Sequence, residues 1–83
     1  MSTNELRDVL TTFYDDKVSI LSNELAGFGY TCSLLHLPHL MLRVSHGDNE
    51  LDISIHPAYV DILGNAVPYK DAASHVRRVL DRF

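Results

Sequence analysis

Residues 40–55 read LMLRVSHGDNELDISI, and the fold turns on this stretch. Leu40, Leu42 and Val44 alternate with Met41, Arg43 and Ser45; Leu51, Ile53 and Ile55 alternate with Asp52, Ser54 and His56. A period of two is the pattern of a strand with one buried face. Between the two runs lies His46-Gly47-Asp48-Asn49. A two-residue loop at Gly47-Asp48 suits a primed hairpin turn, because glycine tolerates a positive φ. That loop fixes the register: Val44 meets Leu51, Leu42 meets Ile53, Leu40 meets Ile55 and Arg43 meets Asp52. Apolar residues face apolar ones and a cation faces an anion, so two independent criteria select one register.

Upstream, Tyr30 to Leu35 predicts an earlier strand with Tyr30, Cys32 and Leu34 on the core side. Pro38 lacks a ladder donor, so a loop at Leu37-Pro38-His39 separates this strand from Leu40. A longer first strand bent at Pro38 is the alternative. Downstream, Pro57 is followed by Tyr59 to Leu63, a last strand with Val60 and Ile62 inward, closed by a turn at Gly64-Asn65. The count is three or four strands.

Helices flank the sheet. Ser2-Thr3-Asn4-Glu5 has the form of a capping box. Leu6, Val9, Leu10, Phe13, Tyr14, Ile20, Leu21 and Leu25 then recur at helical spacing, with Lys17 interrupting the stripe. Gly27 is the expected C′ stop, with Phe28 packing back on the last turn. The spacing predicts a helix over 3–26, bent near Asp15-Asp16. After Pro68, Tyr69, Ala72, Ala73, Val76, Val79, Leu80 and Phe83 form an amphipathic stripe that predicts a second helix over 69–82. The order is α-β-β-β(-β)-α. An antiparallel meander offers one good apolar face, so both helices are expected on it, in a single α+β domain over 1–83.

Composition narrows the function classes. The chain has 83 residues, 46% of them hydrophobic, and one cysteine, Cys32. An internal disulfide framework and a four-cysteine zinc site are therefore excluded. A small unstapled domain suits a reducing compartment, and neither a signal peptide nor a membrane span is legible. The expected location is the cytoplasm. Formal net charge is −4, unevenly spread. Residues 67–83 alone carry more cations (Lys70, Arg77, Arg78, Arg82) than acids (Asp71, Asp81).

Four constellations bear on chemistry. First, the hairpin register sets His39 opposite His56, with His36 across the same loop. Three imidazoles at one sheet end are a candidate metal site, against the plainer reading of surface histidines near turns. Second, Cys32 falls inward in mid-strand, where a cysteine is usually a small apolar residue. No phosphate loop, zinc-protease signature or nucleophile elbow is present, and the adjacent pair Asp15-Asp16 diverges on a helix. The chain therefore reads as no enzyme and as needing no cofactor. Third, Lys70, Arg77, Arg78 and Arg82 are the candidate nucleic-acid contacts. The helix–sheet–helix order is similar to that of the double-stranded-RNA-binding domain in topology only. Such domains carry several lysines at the start of the last helix, however, where this chain has Lys70 followed by Asp71, and its first helix is longer and more acidic. Those cations also suit the C-terminal end of the helix dipole, and nucleic acid is not the expected partner.

The fourth constellation is the sheet face away from the helices. It presents Thr31, Ser33, Leu35, Met41, Arg43, Asp52, Ser54, Tyr59, Asp61 and Leu63. Leu35, Met41, Tyr59 and Leu63 are apolar with no helix left to cover them, and exposed apolar patches rimmed by charge mark interfaces. The reading is a non-enzymatic protein-binding module. Asp8, Asp15, Asp16 and Glu24, with the hairpin acids Asp48, Glu50 and Asp52, would steer it to a basic surface on a partner protein. The apolar patch would supply short-range affinity, to that partner or to a second copy of the chain. Phage-encoded inhibitors such as anti-CRISPR proteins, toxin-immunity proteins and small secretion chaperones share this size and charge, an analogy without a motif.

Overall fold

Two helices, α1 (Ser19–Gly27) and α2 (Tyr69–Leu80), bracket five strands in chain order: β1 (Thr31–Leu35), β2 (Met41–His46), β3 (Asn49–Ile55), β4 (Val60–Ile62) and β5 (Asn65–Val67). The computed structural model describes residues 11–12 and 14–82. The capping box at Ser2–Glu5, the apolar positions Leu6, Val9, Leu10 and Phe13, Asp8 and Phe83 lie outside the described residues. The strands form one antiparallel sheet in the order β1-β2-β3-β4-β5, each paired with its chain neighbours. Among the described residues no helix is long and apolar enough to cross a membrane.

The β2–β3 hairpin has the expected register: Val44 pairs with Leu51, Leu42 with Ile53 and Arg43 with Asp52. Gly47 takes φ 62° in the turn. Ile55 N–H donates to the Leu40 carbonyl at 2.9 Å, so pairing runs one residue past the end of β2. The loop at Leu37-Pro38-His39 separates β1 from β2, and the Leu37–Pro38 peptide is cis.

The sheet has one strand more than the sequence predicts. The turn after β4 is Leu63-Gly64 rather than Gly64-Asn65, with φ 53° at Leu63 and 87° at Gly64. Two consecutive positive φ angles are what a two-residue hairpin of the primed kind requires. Asn65 thus becomes the first residue of β5, paired with Ile62. The Asp61 carboxylate secures the turn by accepting from the Gly64 N–H at 2.8 Å.

The first helix also departs from expectation. Thr11 and Thr12 are helical, a π-helical segment over Tyr14–Val18 then spans the Asp15-Asp16 position where a bend is expected, and the chain continues as α1. A π turn inserts an extra residue and rotates the helix face. Val18, Leu21 and Leu25 turn inward, while Ile20, expected in the stripe, is 61% exposed. The C-terminal stop is Gly29, not Gly27. Tyr30 N–H donates to the Leu25 carbonyl and Gly29 N–H to that of Ala26, both at 3.0 Å, with Gly29 at φ 88°. This is a Schellman closure, with the buried pair Leu25 and Tyr30 as its apolar contact. Phe28 is 44% exposed, and the Arg77 guanidinium sits 4.8 Å from its ring centroid.

Both helices cover one face of the sheet. Val18, Leu21 and Leu25 meet Ala72, Ala73, Val76 and Leu80 over Leu42, Val44, Leu51, Ile53, Val60 and Ile62, all buried in one cluster. Cys32 and Leu34 of the edge strand β1 pack against it from the side. The Asn49 side chain closes the far end of α2 by donating to the Leu80 carbonyl at 3.3 Å.

Candidate functional site: the open face of the sheet

Because β-strand side chains alternate, every residue flanking a buried one is placed on the face opposite the helices. The register assembles these into rows. Leu35, Met41, Ser54, Asp61 and Ala66 form one row across all five strands. Ser33, Arg43 and Asp52 form the next, and Thr31, Ser45 and Glu50 the one after.

The middle row carries a charge clamp. Arg43 Nε and Nη2 donate to the two Asp52 carboxylate oxygens at 2.9 and 3.2 Å, and Glu50 Oε1 lies 3.4 Å from Arg43 Nε. The guanidinium hydrogen bond holds the Asp52 carboxyl below its ordinary value of 3.8. A depressed native value means that its stabilisation is present above the ordinary value and is lost as pH falls through the native one. We expect carboxyl-carbon NMR to find Asp52 titrating below 3.8, and Arg43→Ala to return its midpoint toward that value. An unmoved midpoint in the variant would show the clamp to be absent in solution.

The apolar residues cluster less tightly than the sequence implies. Leu35 and Met41 are register partners, both half-buried. Ser54 and Asp61 then interrupt the row, so Tyr59 and Leu63 sit on either side of a carboxylate on β4 and its turn. Tyr59 is 37% exposed and stacks on His56 with ring centroids 4.5 Å apart, while Leu63 is 62% exposed in the turn.

The predicted acids divide between two surfaces. Asp48, Glu50 and Asp52 lie at the hairpin, where Arg43 neutralises part of their charge. Asp15, Asp16 and Glu24 are exposed on the helical layer, on the other side of the sheet from Leu35 and Met41. A helix diameter of about 10–12 Å separates the layers. That exceeds the Debye length of about 8 Å at physiological salt, so the helix acids add little to the field before the open face.

The histidines do not converge. His39 Nε2 lies 3.0 Å from Ser54 Oγ, His56 is stacked on Tyr59, and His36 is exposed in the loop. Among the described residues no group of three His, Cys, Asp or Glu side chains could hold a metal ion. The Ser54–His39 pair has nucleophile–base spacing. A working pair also needs a group orienting the imidazole, oxyanion donors and a concave pocket. Among the described residues no carboxylate bonds His39, and the pair lies on an open sheet surface. Cys32 is half-buried, and burial pushes its thiol up, away from thiolate chemistry.

Lys70, Arg77 and Arg78 of α2, and Arg82 just beyond its end, are all exposed. One feature escapes a reading of the sequence: a groove of about 840 Å³ between β5 and α2, whose lining includes His75, Arg77 and Arg78. It requires a strand at 65–67, and Asn-Ala-Val ahead of Pro68 is too short to show a period. Compared with protein-family models, with curated proteins and with solved structures, the chain matches none.

Proposed function

We propose that this chain is a non-enzymatic protein-binding module of inhibitor type, acting in the cytoplasm, which occupies a partner's surface with the open face of its sheet. One observation carries the reading: among the described residues nothing covers one whole face of the sheet, which presents Leu35 and Met41 in the row next to the Arg43–Asp52 pair, with Tyr59 further along β3–β4. Apolar side chains ringed by satisfied charges are the composition of an interface core and its rim. Asp48 and Glu50 at the hairpin supply the acidic part, suited to a basic surface. The alternative partner, nucleic acid held by α2, rests on the exposed arginines there.

The test begins with affinity capture from the native host. With the captured partner in hand, Leu35→Lys and Met41→Lys together should weaken binding at least tenfold, since central apolar anchors typically carry 1–2 kcal/mol or more each. Circular dichroism and the urea midpoint should stay near wild type, because both side chains lie off the core. Asp48→Asn with Glu50→Gln should slow association and flatten its salt dependence. A partner that binds the lysine variant as tightly as wild type would place the interface elsewhere.

A further inference from the structure

The groove beside β5 combines two features: among the described residues, a strand edge with no neighbouring strand and arginines that make no salt bridge. The edge follows from the register. Its two-residue turn closes on the pair Ile62 and Asn65, and Val60 faces Val67. In such a hairpin the closing pair exchanges both hydrogen bonds and every second pair does so after it. The Asp61–Ala66 pair between them is the non-bonded kind. Ala66 therefore directs both its N–H and its C=O away from β4, into the groove it lines.

The opposite wall is α2. Arg77 is held against the Phe28 ring at 4.8 Å, and Arg78 Nη2 donates to His75 Nδ1 at 3.1 Å. Among the described residues neither guanidinium makes a salt bridge. The two acids of the groove, Asp71 and Asp81, stand at its ends. They stand ten positions apart, from the first turn of α2 to its C-cap, about 15 Å of axis, which matches four to five residues of extended chain.

We propose that this groove receives a short extended peptide segment with acidic side chains at alternate positions, added to the sheet as a sixth strand beside Ala66. The alternation follows from geometry. A strand placed there turns every second side chain toward the helical layer, where Arg77 and Arg78 lie. The side chains between them continue the open-face row that ends at Ala66, where small or apolar residues fit. Main-chain bonds hold such a segment and side chains select it. Nucleic acid has no use for a strand edge, and the −4 net charge of the chain opposes a long polyanion.

The test uses the whole chain and the capped pentapeptide Val-Glu-Val-Glu-Val, followed by ¹H–¹⁵N NMR. Shifts should concentrate at Ala66, Val67 and residues 74–78, and the Ala66 amide should gain protection from exchange. Arg77→Glu with Arg78→Glu should weaken binding at least tenfold. Ala66→Pro should do the same while leaving the β4 ladder intact, because the Ala66 N–H is not part of it. Should that variant unfold, exchange protection of Ala66 in the wild-type protein decides whether the peptide pairs with this edge. Several results would overturn the proposal: equal binding of Val-Lys-Val-Lys-Val, peptide binding without protection of Ala66, no shifts in the groove, displacement of the peptide by single-stranded oligothymidylate at equal concentration, or self-association that occupies the edge.

Discussion

Ile53→Ala should lower the stability of this protein by about 3 kcal/mol, within the roughly 2–5 kcal/mol measured for such truncations. Ile53 is fully buried on β3, the central strand, with Leu42 opposite it in the register. Truncation removes apolar surface from the core and leaves a space that paired strands on both sides cannot close. A chain of 83 residues has a total stability of roughly 4–12 kcal/mol, so the loss is a large fraction. Urea unfolding should show a lower midpoint with an unchanged slope, and the thermal midpoint should fall by roughly 12–24 °C. Ile53→Val should cost less, about 1 kcal/mol. Ser54→Ala, one residue on and facing the other way, should stay within about 0.5 kcal/mol. If Ile53 and Ser54 exchanged these roles, the assignment of buried and open faces would be reversed.

That contrast between neighbouring residues is also where the sequence was most legible. Two alternating runs joined by two turn residues admit one register, and slipping it by one would bury Arg43 and Asp52 while exposing Leu42 and Ile53. The period of α2 is equally plain, because its polar and apolar residues separate cleanly. What could not be read was structure set by single backbone positions. The β4–β5 turn needs a positive φ at Leu63, an unusual conformation for leucine, so the sequence carries half of the expected signal, in Gly64. The helix stop at Gly29 competes with Gly27, and only the bonds from Gly29 and Tyr30 choose between them. Lys17 within the apolar stripe marks a break in period, and the π segment is its physical form.

The candidate site divides in the same way. The open face and its Arg43–Asp52 pair follow from alternation, so the sequence places them. The three histidines depended on extending the register beyond the bond from Ile55 to Leu40. There the chain bends, His39 turns to Ser54 and His56 to Tyr59. The groove was illegible because it rests on β5. Charge pattern alone shows cations on α2, but not that an unpaired edge faces them.

Tyr69→Phe should cost about 1–2 kcal/mol at neutral pH and flatten the alkaline limb of the stability profile. Tyr69 begins α2, is half-buried, and donates its phenol hydrogen to the His56 carbonyl in the β3–β4 connection. Lys17 Nζ lies 5.6 Å from its ring centroid, so one side chain ties the π segment, α2 and the loop bearing His56 and Tyr59 together. Removing the hydroxyl leaves a half-buried carbonyl without this donor, a loss of about 1–3 kcal/mol when water cannot replace it. Burial pushes the phenol from 10 up to about 12. A raised native value means that stability is full below the ordinary value of 10 and falls as pH climbs from there through about 12. A fully buried group would lose about 3 kcal/mol over that range. Partial exposure of Tyr69 and solvent screening reduce this to the order of 1 kcal/mol. Ionisation would also destroy the bond to His56, since a phenolate cannot donate. Tyr30, whose phenol burial likewise raises, titrates in both proteins, so the difference between their profiles isolates Tyr69. Urea unfolding of wild type and variant at steps from pH 8 to about 11.5 supplies that difference. Equal stability at neutral pH with parallel alkaline limbs would mean that the hydroxyl is solvated and that α2 is anchored to the sheet by apolar packing alone.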